Sequence, residues 1–183
     1  MLYDQVDIAA EKGVYYPQED SKLLAEAVEK YAFGKVLDLG TGTGIQGIIA
    51  ALKGCEVTFA DINASAVGNA RRNAAQNGVK GTFVVSDMFE NIPDRFNTII
   101  FNPPYLELEN TSGRDQDIAG GHHGRELIDR FIGEYAAHVL EDHAILLLES
   151  SVNRYEQDAE RLRAEIVAKS HYSFEDLVVL KFE

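Results

Sequence analysis

The chain has one cysteine, Cys55, in 183 residues. A lone thiol can form no internal disulfide and supplies no cysteine-based structural zinc site. Its setting, Gly54-Cys55-Glu56-Val57-Thr58-Phe59, reads as the start of a strand, which makes it a small buried hydrophobe rather than a nucleophile. Basic charge is also scarce: 17 Lys and Arg stand against 30 Asp and Glu, a net of −13. A protein that grips a phosphate backbone presents a basic surface, so the balance speaks against direct nucleic-acid binding. No apolar run is long enough to cross a bilayer, and no cleavable signal pattern is read at Met1-Leu2-Tyr3-Asp4, so a cytoplasmic location without membrane contact is expected. Internal repeats, low-complexity tracts and linkers are missing too. With 45% hydrophobic and 26% charged residues, the chain is expected to fold as a single domain over residues 1–183.

What is present is an alternation of two periodicities. Leu23, Leu24, Ala27, Val28 and Tyr31 share one helical face behind Asp20-Ser21, read as the capping pair, and Lys35 to Leu39 reads as a short buried strand. The pattern then gives a helix over Ile45 to Leu52, a strand over Glu56 to Ala60, a helix over Ala64 to Gln76 and a strand over Thr82 to Val85. It continues with a strand over Thr98 to Phe101, a helix from about Arg125 to Leu140, a strand over Ala144 to Leu148, a helix over Tyr155 to Ala168 and a last strand over Leu177 to Phe182. Apolar strands separated by helices predict an α/β fold, a mostly parallel twisted sheet with helices on both faces. The charged stretch Glu156 to Arg163 reads as the wet face of its helix.

In open sheets of this kind ligands sit beyond the carboxyl ends of the strands. The first strand runs into Asp38-Leu-Gly-Thr-Gly-Thr-Gly, whose glycines at 40, 42 and 44 permit a sharp turn and close approach of a ligand to the backbone. Gly42, Gly44 and Gly47 also satisfy the dinucleotide pattern GxGxxG, which alone is a weak signal. Asp38 separates the readings: a carboxylate entering the turn repels a pyrophosphate and suits an ammonium-bearing ligand, which points to S-adenosylmethionine. The second strand ends at Asp61, placed to take both hydroxyls of a ribose or to cap the helix from Ala64. The third ends at Ser86-Asp87-Met88, where Asp87 accepts from an adenine amino group while Met88 covers the ring, or again serves a turn. Three strand-end acids in order fit three parts of one nucleoside.

The fourth strand ends in Phe101-Asn102-Pro103-Pro104-Tyr105. Two successive prolines leave a segment that accepts hydrogen bonds and cannot donate them. An –NH₂ group suits it, with one hydrogen to the Asn102 oxygen and the other to the Pro103 carbonyl. So held, the nitrogen is drawn toward pyramidal geometry with its lone pair aimed at a sulfonium methyl, for in-line transfer with no base acting first. Tyr105 forms a flat wall of that slot. The alternative is a rigid strand-ending turn. The connection from Leu106 to Gly124 is long enough to serve as a lid or substrate-binding edge, expected to be mobile without substrate. His122-His123 lie in it without acid, histidine or cysteine at matching ligand spacing, so no metal is expected.

At these residues the chain resembles the Rossmann-like S-adenosylmethionine-dependent methyltransferases that modify planar amino groups. Val14-Tyr-Tyr-Pro-Gln-Glu-Asp-Ser-Lys-Leu-Leu is similar to the amino-terminal signature of the archaeal and eukaryotic HemK-like glutamine methyltransferases, Ala119-Gly-Gly-His-His-Gly-Arg-Glu-Leu-Ile-Asp to the segment after their Asn-Pro-Pro-Tyr, and Leu177-Val-Val-Leu-Lys-Phe to their last strand. The resemblance implies an antiparallel C-terminal strand, an amino-terminal segment (residues 1–33) covering the cofactor site, and no separate helical amino-terminal domain of the bacterial kind. It implies methylation of the glutamine amide nitrogen in the Gly-Gly-Gln motif of class 1 translation release factors. Ser21, Asp38, Gly40, Gly42, Asp61, Ile62, Asp87, Met88 and Asn102 would contact the cofactor; Asn102, Pro103, Pro104 and Tyr105 would hold the substrate, with Asn102, Pro103 and Tyr105 catalytic. It also implies a heterodimer with a small zinc-binding activator at a sheet edge, for which Thr82 to Val85 is the candidate, although the strand also reads as an ordinary one against flanking helices. Two other readings stand: an adenine or guanine amino-group methyltransferase acting on RNA or DNA, and a non-catalytic or dehydrogenase-like nucleotide-binding domain.

Overall fold

A computed structural model describes residues 1–104, 125–172 and 175–183. Its helices are α1 (Glu19–Tyr31), α2 (Ile45–Leu52), α3 (Ala64–Gln76), α4 (Arg125–Glu134) and α5 (Tyr155–Leu162). Its strands are β1 (Lys35–Leu39), β2 (Glu56–Asp61), β3 (Thr82–Val85), β4 (Phe96–Phe101), β5 (Val139–Ser150), β6 (Glu165–Tyr172) and β7 (Glu175–Phe182). They form one sheet in the order β3-β2-β1-β4-β5-β7-β6. Strands β1 to β5 pair in parallel, and β7 runs antiparallel between β5 and β6. The strand order reverses between β1 and β4, and a ligand crevice opens at such a point.

Because successive strand side chains point to opposite faces, each strand feeds two cores. Val36, Ile100, Leu146 and Val179 pack with the apolar faces of α1 and α2, while Leu37, Ile99, Ile145 and Val178 pack with Ile128 and Phe131 of α4. Strand β3 lies at one sheet edge and β6 at the other. Among the described residues no helix is long and apolar enough to cross a membrane.

Four expectations are corrected. The helix expected to reach Leu140 ends at Glu134, passes through a 3₁₀ turn at Tyr135–His138 and yields to β5, which pairs Val139 with Phe96 before its register shifts. The helix expected to reach Ala168 stops at Leu162; Arg163 turns the chain at φ 52° and β6 follows. Glu165, Ala168 and Lys169 are good helix formers, but β6 is an edge strand whose ladder comes from β7, and that pairing overrides local preference. Asp158 is not on a wet face: it is buried and pairs with Arg125. Finally, Asp20-Ser21 do not cap α1, whose first flanking residue is Gln18 with no side-chain cap bond.

The chain ahead of α1 is strapped to α3 by asparagines one helical turn apart. Asn77 brackets Asp7, accepting from its N–H at 2.9 Å and donating to its carbonyl at 2.8 Å. Asn73 does the same for Ala9 at 3.2 and 2.8 Å, and Asn69 accepts from the Glu11 N–H at 2.7 Å. Four helical residues rise about 6 Å and two extended residues about 6.6 Å, so one helix face matches every second residue of an extended chain. The strap leads directly to Gly13, Val14, Tyr15 and Pro17, which reach the crevice.

Candidate functional site

The crevice is a cavity of about 400 Å³ at the carboxyl ends of β1, β2, β3 and β4, within the range of small-molecule sites. Four carboxylates, Asp20, Asp38, Asp61 and Asp87, line it, and no lysine or arginine does so among the described residues. That wall favours a cationic ligand.

Its floor is the glycine turn. Gly40, Gly42 and Gly44 adopt φ of 63°, 53° and 86°, a region that penalises side chains. A Cβ on Gly42 would meet nothing within 4 Å and would stand in the cavity, so glycine keeps that space for a ligand. Asp38 is 3% exposed and its Oδ2 accepts from Thr41 Oγ1 at 2.5 Å and from the Gly47 N–H at 2.9 Å. It therefore ties the turn to the first turn of α2. Burial pushes its carboxyl up to about 7, opposed by those two hydrogen bonds and assisted by the charge of Asp61.

Asp61 anchors the second wall. Its Oδ2 accepts from the Gly42 N–H and its Oδ1 from the Asn63 N–H, both at 2.9 Å, while Asn63 itself caps α3 by accepting from the Ser65 N–H. Capping therefore falls to Asn63, and Asp61 is held across the turn with Ile62, 66% exposed, beside it on the rim. At the end of β3, Met88 is buried at φ 46°, held by the Ser86 hydroxyl, which donates to the Met88 carbonyl at 2.9 Å. Arg130 of α4 donates to Asp87 Oδ1 at 2.5 Å, a partner 43 positions away that no local pattern announces.

The fourth wall is Asn102-Pro103-Pro104. Asn102 Nδ2 donates to Asp20 Oδ2 at 2.8 Å, whereas its Oδ1 is buried and has no hydrogen-bond partner among the described residues. A buried unsatisfied acceptor costs about 1–3 kcal/mol, so its presence calls for a donor that arrives with a ligand. Pro103 is buried and Pro104 half-buried beside it. Tyr105, the segment Leu106 to Gly124 and His122-His123 lie outside the described residues.

The structure thus gathers Ser21, Asp38, Gly40, Gly42, Asp61, Ile62, Asp87, Met88, Asn102, Pro103 and Pro104 around one cavity. The sequence reading does not place Asp20 or Gln46 in the site: Asp20 reads as part of a helix-capping pair, and Gln46 falls inside the helix over Ile45 to Leu52. Gln46 is 4% exposed; its Nε2 donates to the Ser21 carbonyl at 2.8 Å and its Oε1 is a second buried acceptor without a partner among the described residues. A single polar residue in the otherwise apolar Ile45-Gln-Gly-Ile-Ile-Ala-Ala-Leu was the available signal.

The family model described as "Methyltransferase small domain" matches residues 5–118. A Methanocaldococcus jannaschii protein named "Putative protein N5-glutamine methyltransferase" is 36% identical over 177 residues, 91% of this chain and 90% of that one. The Ribosomal RNA small subunit methyltransferase C of Hamiltonella defensa is 42% identical over 89 residues, which are 48% of this chain and 26% of that protein. Among solved structures, a chain of the E. cuniculi Mtq2-Trm112 complex, responsible for methylation of the eRF1 translation termination factor, superposes with a TM-score of 0.72 at 29% identity, covering 94% of this chain and 99% of that one.

Proposed function

The chain belongs to the small-domain methyltransferases and has their Rossmann-like fold, and from that premise we propose that it methylates the side-chain amide nitrogen of the glutamine in the Gly-Gly-Gln motif of a class 1 translation release factor. The observation that carries the reading is the buried Oδ1 of Asn102, without a partner among the described residues, beside two residues without N–H groups. Such a wall takes a group that donates twice, as a primary amide does.

The residues present fit S-adenosylmethionine, which supplies an electrophilic methyl on a sulfonium. The carboxylate-lined wall suits its positive charge, and the Gln46 Oε1 and Asp38 stand where an ammonium would find acceptors at the glycine turn. Asp61 takes the ribose, while Asp87 and Met88 take the adenine. Asn102 Oδ1 and the Pro103 carbonyl bind the amide hydrogens and orient its nitrogen, and Tyr105 flanks it. Residues 1–183 act as one domain in the cytoplasm, with 1–33 roofing the cofactor. The open edge of β3, where Val85 is 46% exposed, receives a small zinc-binding activator by strand addition.

A second reading, amino-group methylation of RNA, is favoured by the similarity to the ribosomal RNA enzyme, but that similarity spans a quarter of that protein and the net charge of −13 opposes it. Labelled cofactor, a purified class 1 release factor and ribosomal RNA, with and without the activator, separate the two: label on the Gly-Gly-Gln glutamine is expected, and label in RNA alone would overturn it. Asn102→Ala should abolish transfer while leaving cofactor binding nearly intact; retained activity would sink the amide-holding role.

A further inference from the structure

We propose that Asp20, backed by Tyr15, is the positioning group that sets the polarity of the acceptor-binding amide, holding Asn102 so that its oxygen and not its nitrogen is offered to the substrate. The inference rests on the acceptor reading above and concerns how Asn102 is made able to perform it.

A primary amide has two nearly isosteric ends, one donating and one accepting, and rotation by half a turn exchanges them. Nothing intrinsic to asparagine selects the end that meets the substrate. In this fold the choice is made by a residue 82 positions away: Asp20 Oδ2 lies 2.8 Å from Asn102 Nδ2. Reversing the amide would bring two acceptor oxygens to that separation and strip the carboxylate of a donor. The orientation that remains leaves Oδ1 as the buried atom without a partner among the described residues. A donor drawn toward a carboxylate also polarises the amide, so the oxygen becomes a stronger acceptor.

Asp20 is itself fixed. It is 3% exposed, and its Oδ1 accepts from the Tyr15 hydroxyl at 2.9 Å and the Ser21 hydroxyl at 3.4 Å. Tyr15 follows the strap pinned to α3 by Asn69 and Asn73, so a helix across the cavity determines where the hydroxyl stands. Asp20 is not needed to cap α1, which begins without a side-chain cap bond. A buried carboxylate at the cavity, one oxygen fixed by hydroxyls and the other given to a single amide, is explained by orientation.

The test uses the full chain with its activator. Asp20→Asn preserves shape but lets position 20 donate, so Asn102 can settle reversed. The kcat for release-factor methylation should fall about 100-fold or more, with the S-adenosylhomocysteine dissociation constant within about threefold of wild type and an unchanged melting temperature. Tyr15→Phe, which removes one of the donors to Asp20, should lower kcat by about three- to tenfold and serves if the first variant fails to fold. A kcat within threefold of wild type in Asp20→Asn, or a parallel loss of kcat, cofactor affinity and melting temperature in both variants, overturns the proposal. The lock is also read without any substrate, from the ¹⁵N-resolved side-chain NH₂ signal of Asn102, assigned by its disappearance in Asn102→Ala. It should be shifted and exchange-protected in wild type and lose both features in Asp20→Asn. If wild type transfers no methyl to the release factor, the acceptor reading alone falls, and the NH₂ signal still decides: one that ignores the substitution overturns the lock.

Discussion

Asp38 should make affinity for an ammonium-bearing cofactor depend on pH, with a slope that Asp38→Asn removes. Its carboxyl is buried and titrates at about 7, so at lower pH a cation that pairs with it must first displace a proton. The cofactor's own α-amino group, with an ordinary pKa of about 7.7–8.0, stays charged below pH 7, so the window from pH 5.5 to 7 isolates the protein group. Across it the ionised fraction of a carboxyl titrating near 7 falls from about one half to about 3%, and the S-adenosylhomocysteine dissociation constant should rise about 15-fold, or about 1.6 kcal/mol. Isothermal titration calorimetry at half-unit steps measures this. The Asp38→Asn variant should bind more weakly and with no slope. The ligand-free protein responds with a related sign: because the folded pKa lies above the ordinary 3.8, the stability this group contributes is full below 3.8 and lost as pH rises through 7, and the variant lacks that decline. Flat binding in wild type, or an equal slope in Asp38→Asn, would refute the role given to Asp38.

Three further outcomes are expected. Gly44→Ala should cost about 2–3 kcal/mol in urea unfolding, since the position combines left-handed backbone with a new Cβ; that Cβ would lie 3.1 Å from the Ala70 Cα, whereas Gly54→Ala, at φ 95° with open space around it, should cost only the backbone part. Asn73→Ala removes bonds to Ala9 and to the Thr43 carbonyl and should accelerate amide hydrogen exchange at Ala9 and Glu11; unchanged protection there would show that the strap is held by something else. Glu149→Gln should raise the guanidinium midpoint more at pH 8 than at pH 5, because burial and the neighbouring Asp158 push Glu149 up to about 9, so the stability it contributes below 4.5 is lost as pH rises toward 9.

By itself the sequence determined what local chemistry dictates. Apolar runs at β1 to β4 and the helical faces of α1, α2 and α3 are written in periodicity, and the sheet built from them carries Asp38, Asp61, Asp87 and Asn102 to one crevice simply because each stands at or just beyond the carboxyl end of a strand. The glycines at 40, 42 and 44 are legible because their backbone angles admit little else. Tertiary structure alone decided whatever depends on a distant partner. Strand β6 looks helical until β7 supplies its ladder, and Asp158 looks solvated until Arg125 meets it. The three asparagines of α3 are unremarkable polar residues until an extended chain lies along them. Asp20 passes for a cap in the sequence, and only folding brings its carboxylate to the Asn102 amide, because hydrogen bonding selects by distance in space and a sequence records only distance along the chain.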